Sequence, residues 1–199
     1  MTAIVKYNAG NVQSVLFALE RLGEKAIWTD DPKLLRGAAR VIFPGVGEAS
    51  SAMRYLRERG LDVLLRSLQQ PVLGICLGLQ LFCRHSEEND TTCIGIFDAH
   101  VRRFNGAAAH PPLKVPHIGW NNLSHLRGAL FDGLEENSFV YFVHSYYAEE
   151  NPAATARAEY GTRFSAALQR DNFHAVQFHP EKSGAVGHKI LSNFLKIKG

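Results

Sequence analysis

This sequence has little of what marks several large functional classes. Only three cysteines occur in 199 residues, Cys76, Cys83 and Cys93, and no two of them form a CxxC pair. So odd and sparse a set argues against a disulfide framework and for a reducing compartment, so a cytoplasmic protein is expected. No polybasic run is present, and 22 basic against 19 acidic residues leave a formal charge of only +3. That balance speaks against nucleic acid as a partner. No apolar stretch approaches the roughly 20 residues that span a bilayer, and Met1–Tyr7 reads as a strand rather than the core of a signal peptide; no membrane partner is expected. Nine histidines are present, yet none shows H-E-x-x-H or Cys/His ligand spacing, so no metal is expected. P-loop and G-x-G-x-x-G patterns are absent too, which leaves no visible means of holding ATP or a dinucleotide, and no cofactor is expected.

What is present is a core and a pattern. Hydrophobic residues make up 46% of the chain, ample for one domain over residues 1–199. In the first half short apolar runs alternate with helical periodicity. Ala3–Tyr7, Lys25–Trp28, Val41–Phe43 and Pro71–Ile75 read as strands. Asn8–Asn11 reads as a turn. Helices are expected from Val12 to Leu22 with Gly23 as the stop, after Asp30-Asp31-Pro32, over Glu48–Arg59 and over Leu61–Leu68. This alternation predicts an α/β domain with a central, mostly parallel sheet covered by helices on both faces. The second half reads as strands with tight turns, partly antiparallel: 99–104, 138–147, 155–160, 164–169 and 173–178. A Pro-rich loop, 110–116, interrupts them, and a helix with Ile190, Leu191, Phe194, Leu195 and Ile197 closes the chain.

Function in parallel sheets gathers at the carboxyl ends of the strands. There stands Gly74-Ile75-Cys76-Leu77-Gly78-Leu79-Gln80, whose G-x-C-x-G spacing is that of a nucleophile elbow with Cys in place of Ser. The glycines are expected to permit a sharp strand-to-helix turn, and a helix starting at Leu77 would aim free N–H groups at the sulfur. A lone cysteine after an apolar strand is ordinarily a packing residue; a core strand, however, gains nothing from glycine on both sides. Cys83 reads as a small buried hydrophobe on the following helix, and Cys93 has no visible partner. Far downstream, His179-Pro180-Glu181 offers an imidazole with its own carboxylate. In an extended segment both side chains point one way, so Glu181 can hold His179 in one tautomer while the other nitrogen faces the thiol. Alone, the tripeptide reads as a surface His beside a solvated Glu. Pro44-Gly45-Val46-Gly47, at another strand end, is either a tight turn or a backbone N–H donor facing Cys76.

Gly74–Gln80 with His179-Pro180-Glu181 resembles the flavodoxin-like, triad-type class I glutamine amidotransferases, in the order Cys, His, Glu, and the match runs over essentially the whole chain. Pro44–Gly47, Val115-Pro116-His117-Ile118-Gly119-Trp120-Asn121, Tyr141-Phe142-Val143-His144-Ser145-Tyr146-Tyr147 and Gln177–Ser183 are similar to the glutaminase subunits of imidazole glycerol phosphate synthases. The resemblance implies that Cys76 attacks the side-chain amide of L-glutamine, that His179 moves the protons and that Glu181 orients His179. It implies oxyanion donors at the backbone of Val46 and Leu77, and a substrate pocket of Gly47, Gln80, Ser145 and Tyr146. It further implies a (β/α)8 cyclase subunit as heterodimeric partner, with His117, Trp120 and Asn121 on the docking face, although a lone Trp also reads as core. Leu79 stands where the family often has Met, and Glu48-Ala49 where Ala-Phe is commoner, which leaves the shape of that loop open. Glutaminases feeding other synthases (pyridoxal phosphate, anthranilate or aminodeoxychorismate), a cysteine peptidase or γ-glutamyl hydrolase, and a binding module with a decayed site stay as alternatives.

Overall fold

The computed structural model describes residues 1–8, 12–109 and 111–198. Ala9, Gly10 and Asn11 of the expected turn lie outside that set, as does His110 at the head of the Pro-rich loop. In chain order the elements are β1 (Thr2–Val5), α1 (Val12–Arg21), β2 (Ala26–Thr29), α2 (Pro32–Gly37), β3 (Arg40–Gly45), α3 (Ala49–Glu58), α4 (Leu61–Arg66), β4 (Val72–Cys76) and α5 (Leu77–Phe82). The second half adds β5 (His85–Ser86), β6 (Thr91–Thr92), β7 (His100–Arg103), β8 (His117–Asn122), β9 (Phe139–His144), β10 (Tyr146–Ala148), β11 (Ala154–Glu159), β12 (Arg163–Arg170), β13 (Phe173–Val176) and α6 (Gly184–Lys196).

Seven strands form the central sheet in the order β11-β12-β13-β4-β3-β1-β2. The run from β13 through β4, β3 and β1 to β2 is parallel, and β11 and β12 add an antiparallel edge. Alternate residues of each strand enter different cores, as a two-residue period demands. Ala3, Val5, Val41 and Phe43 pack with Leu35 of α2, Met53 and Leu56 of α3 and Leu64 and Leu65 of α4. Ile4, Ile42, Leu73 and Ile75 pack on the other face with Val15 and Leu19 of α1 and Ile190, Leu191 and Phe194 of α6. Being buried on both faces is why these strands are apolar throughout rather than alternating.

Local chemistry starts the helices where expected. The Asp31 carboxylate caps α2 by accepting from the Lys33 amide at 2.8 Å, with Pro32 at the first position. The first turn of α3 has two carboxylate caps: Glu48 accepts from Ser50 and Ser51 at 2.6 and 2.9 Å, and Glu88, from a distant loop, accepts from Ala49 at 2.8 Å. Three of the amides that a helix start leaves unpaired are thereby satisfied. Burial opposes charge on Glu48, but the Ser51 and Ser50 amides and Asn89 hold its pKa down to about 2. The unusual Glu48-Ala49 pair is thus a helix cap.

Two expectations fail in the second half. The run 138–147 is not one strand: β9 pairs with β8 in a two-stranded sheet, and after Ser145 the chain continues as β10 against β7 in a four-stranded one. Residues 117–122, which are not among the expected strands, form β8. The backbone of β8 pairs antiparallel with β9 along its whole length, including Gly119 and Asn121.

Candidate active site

Cys76 closes β4 and opens α5, and its own backbone makes the turn between them. With φ 54° and ψ −108° it takes a conformation that costs a residue with a side chain. The glycines do not carry the turn. A Cβ on Gly78 would lie 2.1 Å from the Phe43 carbonyl oxygen, and one on Gly74 would lie 2.9 Å from the Phe82 ring. They give clearance, so that β3 and α5 can close on the elbow, while the cysteine bears the strained backbone. Register then fixes the neighbourhood: Gly45 of β3 pairs with Cys76, which brings Val46 and Gly47 beside the sulfur. The Tyr7 hydroxyl, buried near Cys76, donates to the Pro44 carbonyl at 2.7 Å and pins the start of that loop.

His179 arrives from the strand next to β4, three residues past the end of β13. Its amide donates to the Tyr141 carbonyl at 2.9 Å, and the Ser183 hydroxyl donates to the His179 carbonyl at 2.6 Å. The expected extension holds for His179 alone (φ −100°, ψ 95°); Pro180–Lys182 coil into a 3₁₀ turn. The fixed φ of proline suits a helix start as well as an extended chain, and here the turn wins. The pair still forms. Nδ1 of His179 and Oε1 of Glu181 are 2.8 Å apart, with only 3% and 4% of the two side chains exposed. Since the carboxylate accepts, Nδ1 carries the proton and Nε2 is left for the thiol. That Nε2 is buried and makes no hydrogen bond of good geometry, yet it interacts with Cys76. Burial pushes the imidazole pKa down, but Cys76 and Glu181 together override it and raise it to about 10. Both neighbours thus favour the protonated form of the imidazole.

A cleft of about 340 Å³ opens over the sulfur, within the size range of small-ligand sites. Val46, Gly47, Leu77 and Gln80 line one side, and Ser145 and Tyr146 line the other. Every residue expected at the oxyanion and glutamine positions therefore borders a single cavity with Cys76.

Residues 6–197 match the family described as Glutamine amidotransferase class-I. The chain belongs to that family. The protein named Imidazole glycerol phosphate synthase subunit HisH of Bacteroides fragilis is 53% identical over 195 residues, covering 98% of each chain. The protein of the same name from Shewanella loihica is 42% identical over 206 residues, covering 98% of this chain and 90% of its own. Among solved structures, PurLQS from Thermotoga maritima superposes with a TM-score of 0.72 at 19% identity, covering 98% of this chain and 96% of that one; it supports the fold alone.

The amidotransferase site holds residues that sequence reading passes over. Glu88 borders the same cleft. One of its oxygens caps α3 at Ala49, and burial followed by the nearby Glu48 raises its pKa. An acidic residue in a turn carries no periodic or motif signal, so only the fold reveals it. Gln177, fully buried, donates from Nε2 toward the Cys76 sulfur at 3.7 Å. The docking face needs one correction. His117 is 3% exposed and stacks on Tyr160 and Phe142 on the inner side of β8, so it cannot meet a partner. Trp120, on the outer side, is 55% exposed; the core reading of this Trp fails. Asn121 donates to the Glu159 carbonyl at 2.8 Å. Among the described residues no group of three or more His, Cys, Asp or Glu side chains is arranged to hold a metal, and no helix is long and apolar enough to cross a membrane.

Proposed function

We propose that this chain hydrolyses L-glutamine to glutamate and ammonia as the glutaminase subunit of an imidazole glycerol phosphate synthase in the cytoplasm. The observation that carries this reading is that Cys76, on the wall of the cleft, interacts with the buried His179–Glu181 pair. The thiol proton passes to Nε2 of His179, and the thiolate attacks the side-chain amide carbon. The amides of Val46 and Leu77 take the tetrahedral oxyanion, a contribution typically of about 3–4 kcal/mol per donor. As the C–N bond breaks, His179 returns its proton to the leaving nitrogen and ammonia departs. Water then attacks the thioester, again losing its proton to His179, and the thiolate leaves and is reprotonated. Glu181 keeps the imidazole in the needed tautomer throughout. Gly47, Gln80, Ser145 and Tyr146 shape the glutamine pocket. The Gln80 Nε2 is already committed to internal bonds, so it is Oε1 that this side chain offers the substrate. Glu88 supplies the carboxylate for the substrate α-ammonium.

Ammonia released into water at neutral pH becomes ammonium and loses its nucleophilicity, so the subunit should deliver it to a bound consumer. The consumer we infer is a (β/α)8 cyclase. It would use the ammonia on a phosphorylated ribulosyl-formimino aminoimidazole carboxamide nucleotide, giving imidazole glycerol phosphate and an aminoimidazole carboxamide ribotide. Trp120 and Asn121, beside the exposed Ile118, are the docking face we assign. The test is a pull-down followed by a glutaminase assay with and without the captured partner. A cyclase in the captured fraction that raises ammonia release is the expected result. Capture of a different synthase, or γ-glutamyl peptide cleavage without ammonia, would overturn the reading.

A further inference from the structure

A buried hydrogen-bond network joins the nucleophile to β8, and a single main-chain atom dictates its direction. The Tyr146 carbonyl oxygen, in the cleft wall, receives Nε2 of Gln80 at 2.9 Å and Nδ1 of His144 at 2.8 Å. A carbonyl only accepts, so both partners must present N–H. On one side, Gln80 then has its amide nitrogen turned toward Gln177, 3.1 Å from Oε1, so Gln177 presents its oxygen there. The remaining nitrogen of Gln177 is thereby forced toward the Cys76 sulfur, 3.7 Å away. The reverse orientation of Gln177 would set nitrogen against nitrogen at one end and oxygen against sulfur at the other. On the other side, a neutral His144 protonated at Nδ1 has Nε2 as an acceptor. His117, whose Nδ1 lies 3.1 Å from it, must be the donor. Burial lowers the pKa of both rings, His117 to about 4 and His144 to about 3, which suits neutral imidazoles with one N–H each. Gln80, His117, Gln177 and His144 are each no more than 5% exposed, so the pattern is set mainly by these protein partners.

We propose that Gln177, His144 and His117 are positioning residues for the glutaminase reaction, a directed network that supplies a donor to the nucleophilic sulfur and holds the Tyr146 wall of the glutamine cleft. The proposal rests on the glutaminase reading of that cleft. It gives the first residue of β8 a chemical role, although its side chain reaches neither substrate nor surface.

The test follows iodoacetamide alkylation of Cys76 against pH by mass spectrometry, with Cys76→Ala as the blank, because this small probe needs no glutamine pocket. Gln177→Met keeps the length of the side chain and removes its N–H. Alkylation at neutral pH should slow roughly tenfold and the profile should move to higher pH, as expected for loss of a hydrogen bond to a charged acceptor. A profile that superimposes on the wild type overturns the donation to sulfur. The second arm measures protection of Cys76 by L-glutamine. His117→Phe preserves the aromatic stack and removes the donor, and protection should weaken about 3- to 10-fold. His117→Asn, which returns an N–H near the Nδ1 position, should regain most of it. Equal losses in both variants would reduce His117 to packing, and unchanged protection in His117→Phe would remove the histidines from the network. Should His117→Phe fail to fold, the pH profile of Gln177→Met decides. Failure of the wild-type complex to release ammonia from glutamine would sink the glutaminase reading without touching the alkylation profiles.

Discussion

The two halves of this molecule contribute opposite things to one cleft. Residues before Phe82 provide the proposed nucleophile, the strained elbow and the backbone of Val46 and Leu77, all attached to parallel strands whose register leaves little freedom. Residues after it provide the proposed base, its carboxylate partner and the Ser145–Tyr146 wall, carried by segments that change sheets or coil immediately beside the site. The lesson is a division of labour: the first half positions by backbone clearance, the second by side-chain hydrogen bonds. Substitutions in the two halves should therefore fail differently.

The sharpest contrast lies in the triad. Cys76→Ala removes the nucleophile and should lower glutamine-dependent turnover at least about 10⁴-fold. Ammonia-dependent synthesis by the complex should survive; loss of both activities together would show that the thiol serves the fold rather than the chemistry. On the other side, Glu181→Gln keeps the shape but replaces the acceptor that fixes Nδ1–H. The amide nitrogen then faces the ring, the wrong tautomer is favoured, and kcat should fall on the order of 10³-fold or more with little change in KM. A comparable loss in KM instead would mean that the carboxylate holds the pocket, not the imidazole. Glu88→Gln should behave in the opposite way. It loses the charge offered to the α-ammonium, so KM for glutamine should rise roughly tenfold or more with kcat held. An unchanged KM would take Glu88 out of the binding site and leave it only as a cap on α3.

Clearance predicts a loss of stability instead. In Gly78→Ala the new Cβ would lie 2.1 Å from a main-chain oxygen of β3, an atom that cannot swing aside. We expect a cost of about 3 kcal/mol, at the upper end of overpacking penalties, read from urea unfolding. A neutral result would mean that α5 can shift away from β3, and the elbow would not be the rigid part of the site.

The same division explains what could be seen in the sequence. The first half was legible because its determinants are local: apolar runs bounded by Asp31-Pro32 or Gly23 give elements a start or a stop, and observed strand ends differ from expected ones by one or two residues. Cys76, His179 and Glu181 were legible for a related reason, since each sits in a short motif whose spacing carries its chemistry. The second half obeys partners rather than propensities. Strand β8 contains Gly119 and two asparagines and follows Pro116, so nothing local announces it; pairing with β9 does. Ser145 carries no mark of the point at which the chain leaves one sheet for another. The two-residue strands β5 and β6 are too short to have a period. His117 looked exposed because its loop-like composition hid the strand that turns it inward. Glu88 lies outside any pattern of its own, and Gln177 opens a matching stretch that gives it no role; only tertiary packing aims the first at the cleft and the second at the sulfur.

The smallest expected effect isolates a histidine that the chemistry does not use. His174 lies on β13, next to β4, with 2% of its surface exposed and its Nδ1 without a hydrogen-bond partner. Burial lowers its pKa from 6.5 to about 4. Below pH 6.5 the unfolded chain takes up a proton there while the folded chain does not until about pH 4, so acid favours unfolding over that window and stability rises with pH across it. His117 and His144, depressed in the same direction by burial, add to the slope. His174→Leu removes one of the three contributions and also the unpaired nitrogen. At pH 7 its urea midpoint should equal or slightly exceed that of the wild type. By pH 5 it should lead by roughly 1–2 kcal/mol, and the gap should stop widening below about pH 4. A variant whose midpoint falls in parallel with the wild type would show that His174 protonates freely in the folded state, and that this strand opens more readily than its place beside the nucleophile's own strand implies.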